Sequence, residues 1–377
     1  MFETRDDLLK SLLSLTYIDD DLPVPDSQKH GILARIFGRS ASNAGSETPS
    51  DETAFPADIA EQIASLARLG VALKHHETFT ESTAPLGTSK IGGCPDLPAG
   101  MAWPVRPAWT NEASNYRADM IAPDSKWSWA TPEQCESFRQ MAKRMATYVE
   151  SEAPLAFFAQ INFADLAATG ALADLPELPQ TGILYLFYDY IEQAPGFDPN
   201  DAPGSQLIYV ESPEGLTRTP IPEALAEMLD EGPFRAKFLT AKPCVFSPNP
   251  WQTEIAEFDL PDAMSEAYGE WLATTASDHP APDHRLMGWP NIIQNPMEAQ
   301  CALVTAGKYC GNSDAYTDPN NAGIIAQADD WILLLQIDSD DAANFMLGDS
   351  GILYVWIRKQ DLAARAFDKA WVIMQCC

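Results

Sequence analysis

Basic residues are scarce in this chain: 24 lysines and arginines stand against 54 aspartates and glutamates in 377 residues, a net charge of −30. A surface so negative repels the phosphates of nucleic acids and anionic membranes, so neither is expected as a partner. It draws in a basic protein or a cation, or it serves solubility alone. No stretch approaches the roughly 18 unbroken apolar residues of a membrane span. Met1–Leu15 opens acidic and its apolar run is short, so no secretory signal is expected there. The seven cysteines are odd in number and lack scaffold spacing, which fits reduced thiols and a cytoplasmic protein. Cys376 and Cys377 follow an apolar run and read as the end of a buried strand. Phosphate loops, dinucleotide fingerprints, zinc-protease motifs and nucleophile elbows are all missing. An enzyme is therefore less expected than a binding protein.

Apolar residues make up 46% of the chain, enough for a large core, and the 30 prolines and 10 tryptophans fit ordered, aromatic loops. The stretch SKIGGCPDLPAGMAWPVRP, Ser89–Pro107, looks at first like a phosphate cradle. Its prolines delete backbone donors, and Lys90 precedes the glycines instead of following them. A stiff extended loop presenting Trp103 is the better reading.

Apolar spacing predicts helices over 4–18, 56–76, 221–231 and 261–274. Thr131-Pro-Glu-Gln134 is a capping box that opens another, to about Ser151. The Ser-, Asn- and Gly-rich Ser40–Thr53 predicts a flexible linker. Strands are predicted at 155–161, 183–188, 207–211, 331–337, 352–357 and 370–375. These strands repeat. LAFFAQIN (155–162) aligns with WILLLQID (331–338), and TGILYLF (181–187) with SGILYVW (350–356). A third strand follows each pair, and a turn of the form Gly-x-Pro precedes it, Gly93–Pro95 and Gly288–Pro290. Four matches in one order imply an internal duplication.

The duplication also weighs candidate chemistry. Gly348-Asp-Ser-Gly351 imitates a serine-protease nucleophile, but Gln180-Thr-Gly182 makes the matching turn without a serine, so a turn is expected. Asp338, Asp340, Asp341 and Asp349 begin like a calcium loop, yet Ala343 and Asp349 occupy the places of its glycine and closing glutamate. Asp340 and Asp341 equally suit the cap of a short helix near 342–347. Cys301 and Cys310 have no second ligand pair nearby, and His75-His76 reads as a solvated helix end. Gln160 and Gln336 hold the same place within apolar strands, where each must find hydrogen bonds. They tie strand to loop or line a polar pocket. Trp103, Trp109, Trp289 and Gln294 are the loop residues suited to binding; otherwise the tryptophans lid the core.

The segments KIGGCPDLPAGMAWP, FFAQINFADL, GILYLFYD, HRLMGWPNIIQ, LLLQIDSDD and GDSGILYVWIRKQDLAARAFDKAWVIMQC together resemble the YwqG-like family of uncharacterised bacterial proteins, from about Leu86 onward. The resemblance implies a duplicated α+β fold and carries over no catalytic residue. Relatives encoded beside polymorphic toxin genes imply a role in intercellular competition.

The expected fold is α+β and internally duplicated: two β-rich, mainly antiparallel half-units with flanking helices, packed as one body. Residues 1–54 form an N-terminal helix and linker, and 55–377 the duplicated domain, with half-repeats at about 86–215 and 280–377. The expected function is non-enzymatic: docking a basic protein partner, such as a toxin domain, with no cofactor. Binding residues are Trp103, Trp109, Gln160, Trp289, Gln294 and Gln336. The alternatives are a metal-assisted hydrolase or ligand-binding enzyme using Asp338, Asp340, Asp341, Asp349 and His284, and a structural scaffold.

Overall fold

The computed structural model describes residues 2–18, 52–109, 112–277 and 282–376. Nearly all of the expected linker at 40–53 lies outside them, as do His30, His279 and Cys377. The chain divides into two compact units. The smaller comprises Met1–Gly70, Cys244–Ala281 and Gly288–Asn291; the larger comprises Val71–Pro243, Pro282–Met287 and Ile292–Cys377. No helix among the described residues is long and apolar enough to cross a membrane.

In the smaller unit, helices Arg5–Leu13, Ala57–Leu66 and Asp262–Ser277 carry a core that includes Leu8, Leu12, Ile63, Met264 and Tyr268. Thr4 caps the first helix by accepting the Asp7 amide. That helix is shorter than the expected 4–18, because Thr16–Ile18 forms a strand paired with Glu52–Ala54. The helix expected over 56–76 also stops early. At Ala67 the backbone turns extended, with ψ 136°, and Arg68–His76 is a strand. Its four consecutive buried residues, Gly70–Leu73, mark a strand covered on both faces, and Leu69 and Leu73 imitated a helical stripe.

A ten-stranded sheet builds the larger unit. In chain order its strands are β1 (Arg68–His76), β2 (Lys90–Ile91), β3 (Ala156–Asn162), β4 (Ile183–Tyr188) and β5 (Ser205–Val210), then β6 (Lys237–Phe246), β7 (His284–Met287), β8 (Trp331–Asp338), β9 (Ile352–Arg358) and β10 (Trp371–Gln375). Their order across the sheet is β5-β4-β3-β2-β6-β1-β7-β8-β9-β10. The first residues of β1 and the last of β6 belong to the smaller unit. The helix Pro132–Val149 begins at the expected capping box, with Thr131 and Gln134 each accepting the other's backbone amide.

The sheet ends in an antiparallel meander on each flank, β3-β4-β5 and β8-β9-β10. In their first two strands the pairings fall at the aligned positions. Each has a register shift at the same place, between Phe157 and Ala159 in one and between Leu333 and Leu335 in the other. Gln160 faces Tyr185, and Gln336 faces Tyr354. On the other side Gln160 faces Lys90, and Gln336 faces Arg285.

Both faces of β4 and β9 are covered. Leu184, Leu186 and Tyr188 join one core while Ile183, Tyr185 and Phe187 join another; Leu353, Val355 and Ile357 part in the same way from Ile352, Tyr354 and Trp356. Double burial is why these strands read as unbroken apolar runs. The outermost strands, β5 and β10, line a common cleft of about 790 Å³. The segment Pro195–Gly196 covers the β10 edge, Met374 N donating to Pro195 O and the Trp371 indole to Gly196 O.

Gly182 and Gly351 lead into β4 and β9, where the third strand leaves no room for a side chain. A Cβ at Gly182 would lie 2.7 Å from the Val210 oxygen, and one at Gly351 would lie 2.5 Å from the Gln375 and Leu347 oxygens. Gly351→Ala and Gly182→Ala should each lower unfolding free energy by about 2 kcal/mol or more, read by urea denaturation. Gly170→Ala has open space around its Cβ and only an unfavourable φ of +79°, so it should cost about 1 kcal/mol. Equal losses at Gly182 and Gly170 would show that φ, and not close approach, selects Gly182, whereas Gly351 has no positive φ and should lose stability by close approach alone.

Candidate functional site

Strands β1 and β7 are neighbours, and they bring His75 beside His284 with ring centroids 5.7 Å apart. Asp340, in the turn after β8, completes the group. Its Oδ2 lies 3.3 Å from His284 Nε2 and 2.8 Å from His75 Nε2, while its Oδ1 accepts the Ala343 amide. Asp340 and Phe345 exchange backbone bonds across this turn, so the short helix expected near 342–347 is a hydrogen-bonded turn. His284 and Asp340 are almost fully buried, and His75 keeps 19% of its side chain exposed. His75 therefore belongs to a strand and a buried cluster, not to a solvated helix end.

Two imidazoles and a carboxylate are metal-ligand chemistry, and their donor atoms lie within 4.8 Å of one another. Ligands about 2.0–2.1 Å from a tetrahedral ion stand about 3.3 Å apart, so the spacing alone is suitable. The proton positions are not. A metal-bound imidazole donates its second ring nitrogen's hydrogen to an acceptor. Here His284 Nδ1 accepts the Asp338 amide at 3.1 Å. A backbone N–H only donates, so the ring proton sits on Nε2, aimed at Asp340, and no lone pair remains there for a metal. His284 and Asp340 are joined by a hydrogen bond, while His75 Nε2, 2.8 Å from Asp340, is buried without hydrogen-bond geometry to it. Asp338 is engaged elsewhere, its Oδ2 accepting the Asp283 amide, and Asp341 and Asp349 are exposed and outside the group. Calorimetric titration with calcium, magnesium and manganese should accordingly find no site tighter than about millimolar. A micromolar site abolished by Asp340→Asn would mean that His284 can turn a lone pair to the ion.

Burial pushes the Asp340 carboxyl up, but the His284 hydrogen bond and the His75 imidazole outweigh it and hold it well below the usual carboxylate range. The stability it contributes is thus complete above its unfolded pKa of about 3.9 and is lost as pH falls through the lower folded value. Asp338 is shifted up, mainly by burial, so ionising it costs stability as pH rises from the unfolded value to the folded one. Asp340→Asn should cost about 1–3 kcal/mol at neutral pH and flatten the loss of thermal midpoint below about pH 4. Asp338→Asn should leave the loss below about pH 4 unchanged and instead remove a rise in midpoint that the parent gains as pH falls from Asp338's raised folded value towards about 3.9. Matching acid profiles in the two variants would contradict the opposite assignments.

Gln160 sits at a second cluster. Its Oε1 accepts the Asp96 amide, just past Gly93–Pro95, and its Nε2 donates to Thr88 O and Asp96 Oδ2. Asp96 is also bonded by the Gly87 amide, Lys90 Nζ and the Arg218 guanidinium. Lys90 is fully buried, and burial lowers its pKa against the pull of Asp96. The lysine of the glycine-rich stretch thus faces an interior carboxylate. Gln336 Nε2 likewise donates to Asp283 O, at the entry to β7. Both glutamines tie strand to loop.

The tryptophans are anchored by their indole N–H groups. Half-buried Trp103 donates to Leu155 O and packs edge-on against Phe187. Buried Trp109 donates to Asp189, which also binds fully buried Arg106 and the Tyr148 hydroxyl. Trp289, in the smaller unit, donates to Leu66 O and lies under the Arg68 guanidinium, 3.2 Å from its ring centre. Exposed Gln294 reaches back to Cys376 O. Ser350 is an exposed turn residue with φ 53°, matching the turn reading of its motif.

A cleft lined by β5 and the start of β10 is open to a ligand. Ser205–Tyr209 of β5 form one wall; Phe367, Trp371 and Val372 form another, with Val304 and Thr305 beside them. Sequence reasoning missed it. Its walls come from segments distant in sequence, which no local pattern brings together.

No curated protein matches the sequence. The family described as "Domain of unknown function (DUF1963)" matches residues 89–376, a span that takes in every strand of the sheet after β1, both meanders and the cleft, and the chain belongs to that family.

Proposed function

We propose that the protein is a non-enzymatic binding protein that docks a basic protein partner. The observation that carries this reading is the net charge of −30, far beyond what solubility requires. The polar clusters support it from the other side. Two of those described above are closed by their own hydrogen bonds, in the third His284 has no lone pair free for a metal, and none presents an activated nucleophile. The metal-assisted hydrolase is therefore the weaker reading.

In its finer form the proposal takes the chain as a YwqG-like, cytoplasmic bacterial protein of immunity type that neutralises a basic toxin domain. The free cysteines among the described residues, Cys94, Cys135, Cys244, Cys301, Cys310 and Cys376, agree with a reducing compartment. The shared bulge and glutamine register of the two meanders support descent from a duplicated unit. Because Trp109 and Trp289 are buried, the docking surface in this reading relies on charge more than on the aromatic loops.

Charge-steered association slows steeply as salt rises, since the Debye length is only about 8 Å at physiological ionic strength. Pull-down from the source cell at low and high salt should recover a basic protein mainly at low salt. Association measured with that protein should slow with ionic strength while dissociation changes little. Recovery of no partner at either salt, from a folded bait, would remove the binding proposal.

A further inference from the structure

The two meanders carry different chemistry at one set of matching positions. The aligned sequences place Trp331 on Leu155, Trp356 on Phe187 and, two residues further along β9, Arg358 on Asp189. Trp331 stands opposite Arg358 across β8 and β9, and Leu333 stands opposite Trp356, so Trp331, Trp356 and Arg358 share one face of the sheet. In the first half the corresponding place is closed. Asp189 accepts from the Arg106 guanidinium and the Trp109 indole through one oxygen. Its other oxygen accepts from the Tyr148 hydroxyl and the Ile191 and Glu192 amides.

In the second half the carboxylate is replaced by a guanidinium, and donors are left over. Trp331 Nε1, Trp356 Nε1 and Arg358 Nε are all buried, and none has a hydrogen-bond partner. Trp331 is 2% exposed and Trp356 0%. The chain holds 54 aspartates and glutamates, yet Arg358 forms no salt bridge among the described residues. Its guanidinium carbon lies 5.1 Å from the centre of the Trp331 ring, and Nη2 reaches Thr305 Oγ1 only at 3.5 Å. A buried indole N–H normally finds an acceptor. Two such groups beside an unpaired cation call for an acceptor of negative charge. The first half shows what an arginine next to an indole takes, which is a carboxylate.

The surroundings limit the size and charge of that acceptor. Leu333, Cys301 and Ile352 share a core with both tryptophans, so an entering ion sheds most of its water. A singly charged carboxylate loses less hydration than a phosphate dianion, and the net charge of −30 repels the dianion more. Thr305, which Arg358 touches, lines the cleft beside β5 and β10, so the guanidinium lies just behind a wall that solvent reaches. We propose that Arg358, Trp331 and Trp356 form a binding site for a small carboxylate anion, Arg358 pairing with its charge and the indoles donating to its oxygens. The site stands apart from the basic partner proposed above.

The probe is sodium acetate, titrated into protein carrying 15N in its tryptophan side chains, with sodium chloride holding ionic strength constant. Spectra of Trp331→Phe and Trp356→Phe assign the two indole N–H resonances. Both resonances should shift along one saturable curve, with a Kd of about 1–10 mM. Arg358→Gln should stay folded and weaken acetate by at least about tenfold. Arg358→Lys, which keeps the charge and loses the fork, should fall between the two. Exchanging chloride for saturating acetate should raise the thermal midpoint of the parent by about 1–3 °C and leave that of Arg358→Gln unmoved, a readout that needs no resonance assignment. Equal indole shifts in chloride alone, unchanged affinity in Arg358→Gln, or no saturation below about 100 mM acetate would each overturn the proposal. Tighter binding of inorganic phosphate at the same resonances would overturn the carboxylate assignment. None of these measurements involves a partner protein, so their failure would leave the proposed function standing.

Discussion

A sheet covered on both faces has no water to satisfy what lies inside it, and this constraint organises the larger unit. A polar side chain that enters costs stability unless it brings its partners, and most do; the indole nitrogens of Trp331 and Trp356 are exceptions. Lys90, Asp96, Gln160 and Arg218 form one closed group; Arg106, Asp189, Trp109 and Tyr148 form another. Such buried pairs add little net stability, but removing one member strands a charge and costs several kcal/mol. Their value lies in register. Gln160 stands opposite Lys90 as Gln336 stands opposite Arg285, and a one-residue slip would turn each glutamine to the other face, away from its carbonyl. The knots specify which strand pairing is native.

The same constraint explains how much of the fold was legible. Strands buried on both faces announce themselves as apolar runs, so β3, β4, β8, β9 and β10 were readable to within a residue or two, and β5 nearly so. The capping box at Thr131 was readable because its chemistry is local. The central strands were not. Lys90–Ile91 is too short for a pattern, Lys237–Phe246 contains two lysines and a proline, and β1 has spacing that suits a helix as well. These strands owe their state to neighbours distant in sequence.

Candidate chemistry was legible in the same uneven way. His284 and Asp340 were named among possible ligands, and they do meet. His75 was not, because only the adjacency of β1 and β7 brings it there. The decision against a metal turned on a single backbone hydrogen bond, from Asp338 N to His284 Nδ1. Composition carries no trace of a tautomer. The tryptophans show the converse: their loops are rich in glycine and proline, yet each indole N–H finds a backbone carbonyl or a buried carboxylate, the usual cost of burying an indole.

Interior pairing also shapes the surface. Lys90, Arg106 and Arg285 are buried beside carboxylates, so each is withdrawn from a chain already short of cations. The remaining exterior carboxylates then dominate the field that an approaching molecule meets. That field reaches about a Debye length and discriminates by charge. In the proposed reading it brings a basic partner near without any catalytic group, and it follows from where the sheet put its cations.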